Sequence, residues 1–138
     1  MSIEFIHGRL ANAALLFSII CTAWGLLNFA RKQPVTSSYW GALVILQILA
    51  MAQVVLGIVV YASTDGGQLL RPIVHVLYAA TLVISLPAAY VYTGGKDTQR
   101  ENMIYALVYL WLVFIAERSI STGQEGILAP LSLLLGAL

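Results

Sequence analysis

Four apolar runs, each near the length that crosses a bilayer, constrain this chain more than any other feature. A helix needs about 20 mostly apolar residues to cover roughly 30 Å of hydrocarbon. The runs over 6–30, 39–62, 72–93 and 102–120 meet or approach that length, the last being the shortest and ending on Glu117 and Arg118. Only 9% of the 138 residues are charged and the mean hydropathy is +0.89, whereas soluble domains carry about a quarter charged residues. This composition argues against a water-soluble globule. A net charge of +1 with no long basic run gives phosphates nothing to bind, so no nucleic-acid partner is expected.

The breaks between the runs carry stop signals. "RKQPVTSS" holds a proline and hydroxyl residues, "STDGGQ" a glycine pair before Pro72, and "TGGKDTQREN" is glycine-rich and charged. Connections this short make neighbouring helices antiparallel. The expected fold is all-α, an integral membrane four-helix antiparallel bundle over residues 1–120, followed by a tail over 121–138. The first run is too long for a signal peptide and lacks a basic flank before it, while Arg31 and Lys32 follow it as a stop-transfer flank does. It is read as a permanent span.

Arg31, Lys32, Lys96 and Arg100 lie on one side of the expected bundle, against Arg9, Arg71 and Arg118 on the other. The positive-inside rule then places the first and third loops in the cytoplasm and both termini outside, in a cell membrane. Tyr39, Trp40, Tyr90, Tyr92 and Tyr105 are expected to form an inner aromatic belt. The single cysteine, Cys21, sits in an apolar run and reads as a packing residue. The apolar stretch "GILAPLSLLLGAL" is too short to span, and is expected to lie in the interface or against another subunit or a second copy of the chain.

The chain has two histidines, and the helices that carry them run in the same direction. His7 opens the first and His75 the third, so both lie near one membrane face. His7 precedes Arg31 by 24 residues and His75 precedes Gly94 by 19, a depth difference of roughly 7 Å at 1.5 Å per residue that helix ends and tilt decide. Two neutral imidazoles facing each other from separate helices are what a six-coordinate haem iron takes as axial ligands. Intramembrane histidines are functional candidates in general. Zinc is disfavoured, because a closed site needs four ligands.

Each neighbour of the pair has two readings. Ala11, Ala14, Ser18, Cys21 and Gly25 continue the His7 face as a stripe of small residues, which admits either a porphyrin or a second helix. Gln53 and Gly57 share a face of helix two in the half that holds the histidines. Gln53 meets a haem edge or a histidine Nδ1, or makes an interhelical hydrogen bond. Arg71 and Arg9 suit haem propionates or serve as interfacial anchors. Arg71 shares a helix face with His75, whereas Arg9 points about 200° away from His7. Glu4, one turn before His7, orients the imidazole or acts beside the haem, or is a solvated carboxylate at a helix N-terminus. Spacing alone favours the solvated role.

The segment "EFIHGRL", followed by an apolar helix, a basic turn, "LQILAMAQVVLGIVV" and "PIVHVLYAATLVISL", resembles one half of the heme A synthase family. That family is built from four-helix halves with paired histidines on alternate helices. Glu4 and His7 match its Glu-x-x-His-Arg-like opening, Gln53, Leu56 and Gly57 its Gln-x-x-Leu-Gly-like stretch, and His75 its second histidine. The likeness covers residues 3–93. Gly8 separates His7 from Arg9 where the family has His-Arg directly, and this chain spans one half where long members have two. The resemblance implies that His7 and His75 are axial ligands. It also implies that Glu4 is the carboxylate beside the haem, implicated in oxidising a haem methyl group.

Three functions fit the sequence, in this order. The first is a b-type cytochrome carrying electrons through one haem, as a subunit of a respiratory or photosynthetic complex. The second is a half-length heme A synthase-like enzyme using Glu4. The third is a haem-free accessory subunit of a membrane complex.

Overall fold

The computed structural model describes residues 2–63 and 71–123. Its elements are α1 (Ile3–Ala30), α2 (Ser37–Ser63), α3 (Pro72–Thr93) and α4 (Gln99–Gly123). All four are long and apolar enough to cross a membrane, and the chain is a multi-pass membrane protein. The "STDGGQ" connection beyond Ser63 and the tail from residue 124 lie outside the described residues. Residues 121–123, expected in the tail, belong to α4.

Local chemistry fixes the helix ends. Ser2 caps α1 by accepting from the Phe5 N–H at 3.3 Å, which moves the start ahead of the apolar run to Ile3. Thr36 does the same for α2 through the Tyr39 N–H at 3.2 Å. Pro72 begins α3, where its missing N–H costs nothing. Gly94 ends α3 in the left-handed conformation, φ 62°, that a side chain rarely adopts. Thr98 and Glu101 form a capping pair through the hydroxyl and carboxylate, and this starts α4 three residues before the apolar run.

Each helix packs against its neighbour in sequence, and α4 returns to close the bundle on α1. The α1–α4 contact is the most extensive and α2–α3 the least. The helices bearing the histidines, α1 and α3, therefore face each other across the diagonal.

The half of the bundle away from the histidines holds the main core, where Cys21, Tyr39, Leu43, Leu46, Leu86, Tyr105, Tyr109 and Leu112 are buried together. One expectation is corrected here. Tyr39 and Tyr105 do not belong to an interfacial belt: they turn inward because their hydroxyls find partners. Tyr39 Oη donates to the Cys21 carbonyl at 3.2 Å, and Tyr105 Oη pairs with Thr93 Oγ1 at 3.0 Å. Tyr90 and Tyr92 stay exposed, and the Trp40 ring lies tilted against those of Tyr90 and Tyr105, with centres 5.4 and 5.6 Å away.

The small-residue stripe has two readings, and near Gly25 helix contact is the one observed, because a Cβ there would strike the Tyr39 ring and stand 3.0 Å from Ala106 Cβ. Leu15 packs with Ala116 and Ile120, and Ala11 joins them. At these positions the stripe brings α2 and α4 close to α1.

Pro87 lies inside α3 without ending it. A proline removes the hydrogen bond to the carbonyl four residues earlier, here that of Val83. Gln47 of α2 supplies the missing donor, its Nε2 lying 2.8 Å from that oxygen. In hydrocarbon a freed carbonyl has no water to turn to, so such a substitute is what makes the proline tolerable.

The two loops at this end are tied together. Val35 N–H donates to the Asp97 carbonyl at 2.7 Å, Asn102 Nδ2 to Gln33 at 2.7 Å and Gln99 Nε2 to Phe29 at 2.9 Å. Arg31, Lys32, Lys96 and Arg100 are thereby gathered at one end of the bundle.

Candidate functional site

The packing changes character toward the other end. No described residue of α2 beyond Leu46, and none of α3 before Leu86, is buried. In contrast, α1 and α4 stay closely packed there through Gly8, Leu15, Ala116, Ser119 and Ile120. The end where α2 and α3 are loosest is the one that carries His7 and His75.

The two imidazoles meet across the diagonal, with ring centres 6.4 Å apart and planes inclined at 60°. The depth difference counted from sequence does not keep them apart. Two imidazoles binding one metal ion from opposite sides, with metal–nitrogen bonds of about 2 Å, have ring centres roughly 6 Å apart. The twist between the ring planes is free in such an arrangement, so the spacing suits a shared iron.

Helix α4 fixes the orientation of His75. Its Nδ1 lies 2.8 Å from the Ser119 carbonyl oxygen and 3.3 Å from Thr122 Oγ1. A carbonyl only accepts, so Nδ1 carries the proton and Nε2 keeps a lone pair for a metal. A histidine ligand held in this way through its second nitrogen is common in metal sites. Neither Ser119 nor Thr122 was identifiable as part of the site from sequence. Their only signal is that two hydroxyl residues follow one another at i and i+3 near the end of α4.

His7 leans against α2. Gly57 stands beside its ring, so that a Cβ at 57 would come within 3.3 Å of His7 Cε1. Gln53, one turn earlier, donates from Nε2 to the His7 backbone carbonyl at 3.1 Å. This is the interhelical hydrogen bond of the two readings open for Gln53. Among the described residues, neither His7 Nδ1 nor Gln53 Oε1, both buried, has a hydrogen-bond partner. Glu117, on the same half of α4, is likewise buried with Oε1 unpartnered.

The remaining candidates lie outside this constellation. Glu4 is exposed in the first turn of α1. Arg9 is exposed, with its guanidinium 5.7 Å from the Phe5 ring centre. Arg71 is exposed at the α3 N-cap, its carbonyl accepting from the His75 N–H at 2.9 Å. It remains at the histidine end, one turn from His75.

Among the described residues no three His, Cys, Asp or Glu side chains group together. The fold does bring two imidazoles together, the number that the axial positions of a porphyrin-bound iron take. No family model, curated protein or solved structure matches the chain.

Proposed function

We propose that the chain is a membrane b-type cytochrome that binds one haem between His7 and His75 and passes electrons within a respiratory or photosynthetic complex. The observation that carries this reading is the imidazole pair, 6.4 Å between centres, with the His75 Nδ1–H committed to Ser119. A bis-His iron has no open position, which suits electron transfer. Gly57 gives the His7 ring its place, and Arg71 is the arginine better situated for a propionate. The excess of basic residues at the other end of the bundle, four against three, supports an orientation with the histidines near the outer face of the cell membrane.

Two alternatives are weaker. An accessory subunit without haem does not by itself call for two imidazoles brought face to face from helices on the diagonal. A heme A synthase-like enzyme, the reading that follows from the sequence resemblance, depends on Glu4, which is exposed on α1 and, among the described residues, hydrogen-bonds to neither histidine. The pyridine haemochrome assay on protein purified from haem-replete cells tests the proposal. One haem b per chain is expected, and a protein isolated without haem overturns it. Glu4→Gln tests the enzyme: an unchanged haem A pool in cells carrying it counts against that activity.

A further inference from the structure

We infer that the two histidines are unequal ligands, with His75 the fixed one and His7 the exchangeable one, so that a small diatomic molecule enters on the His7 side. The inference rests on the haem reading above and concerns how that same site is controlled.

The asymmetry lies in what each ring gives up by moving. To leave its position His75 must break the Nδ1–H bond to Ser119, 2.8 Å, and its contact with Thr122 Oγ1, 3.3 Å. Both partners lie on α4, which packs extensively on α1 and α3. Thr122 Oγ1 is itself tied to the Ser119 carbonyl at 2.9 Å. A hydrogen bond from Nδ1–H also makes the opposite nitrogen a stronger donor to metal.

The His7 ring is held by none of this. Its Nδ1 is buried and unpartnered, and the bond from Gln53 goes to the His7 backbone, not to the imidazole. Among the described residues, rotating the ring therefore breaks no hydrogen bond to Nδ1. Gln53 Oε1, buried and unpaired at the same junction, supplies an acceptor for a displaced Nδ1–H. Gly57, with no side chain, leaves the edge of the ring uncrowded. The exchange replaces one iron–nitrogen bond by one bond to the incoming ligand. The iron stays ferrous, and His7 leaves as neutral imidazole.

Carbon monoxide is the probe. The full chain, loaded with haem b in detergent and reduced with dithionite, is mixed with carbon monoxide and followed optically. His7→Ala is expected to keep its haem, shift it to a high-spin five-coordinate form, and bind carbon monoxide at least tenfold faster than the parent. His75→Ala is expected to lose haem affinity by tenfold or more. Gly57→Ala keeps both histidines but fills the space beside the His7 ring that its displacement would use, and is expected to bind carbon monoxide several-fold more slowly. That variant keeps the test intact if His75→Ala does not fold. Equal haem loss in the two alanine variants, retention only in His75→Ala, or an unchanged rate in Gly57→Ala overturns the inference while leaving a bis-His haem standing. A parent protein that takes up no haem overturns both.

Discussion

The Nδ1 of His75 and the carbonyl oxygen of Ser119 lie 2.8 Å apart, joining the start of α3 to the end of α4. That single bond does two things at once. It ties the loosely packed half of α3 to the best-packed helix, and it leaves Nε2 of the imidazole as a lone-pair donor. Nitrogen-15 NMR of histidine-labelled, haem-free protein should find His75 in the Nδ1-protonated tautomer. A dominant Nε2-protonated form contradicts the assigned bond.

Gln53→Leu removes the donor to the His7 carbonyl and leaves that part of α1 without its tie to α2. Interhelical hydrogen bonds in membranes contribute about 0.6 kcal/mol on average, and up to about 1.7. A destabilisation in that range is expected in reversible unfolding, with haem affinity reduced several-fold. An affinity equal to that of the parent indicates that Gln53 does not position His7.

Gln47 and Pro87 form a second testable pair. Gln47→Leu strands the Val83 carbonyl and is expected to cost about 1–2 kcal/mol. Pro87→Ala restores an N–H to that carbonyl from within α3, so the double variant should recover most of the loss. Additive effects in a double-mutant cycle show that the two residues do not share the carbonyl.

Gly25→Val forces a side chain into Tyr39 and Ala106. Overpacking of this kind costs about 1–3 kcal/mol. The site lies at the other end of the bundle, so the fraction that folds should bind haem as the parent does. A changed haem spectrum in that folded fraction shows that the two halves are coupled.

Much of the fold was legible in the sequence because one property, the length of apolar run needed to span a bilayer, dominates it. The start of α3 at Pro72 and its end before Gly94 follow from residues that punctuate helices. Ser2 and the Thr98–Glu101 pair carry the starts of α1 and α4 three residues ahead of the apolar runs, which hydropathy alone does not register. Helix direction was enough to put His7 and His75 at the same end, while their approach across the diagonal depends on packing. Ser119 and Thr122 were not legible: the bond to Ser119 is accepted by a backbone carbonyl, and every residue has one. Gln47 escaped notice for a related reason, since its partner is a carbonyl exposed by a proline on another helix. Tyr39 and Tyr105 looked interfacial because tyrosine often is, yet both hydroxyls are satisfied inside.

The most direct test of the haem-binding account is the reduced-minus-oxidised optical spectrum of the purified full chain. A narrow α-band of a low-spin bis-histidine haem is predicted, abolished in both His7→Ala and His75→Ala. A protein that carries no haem, or one whose α-band survives both substitutions, contradicts it.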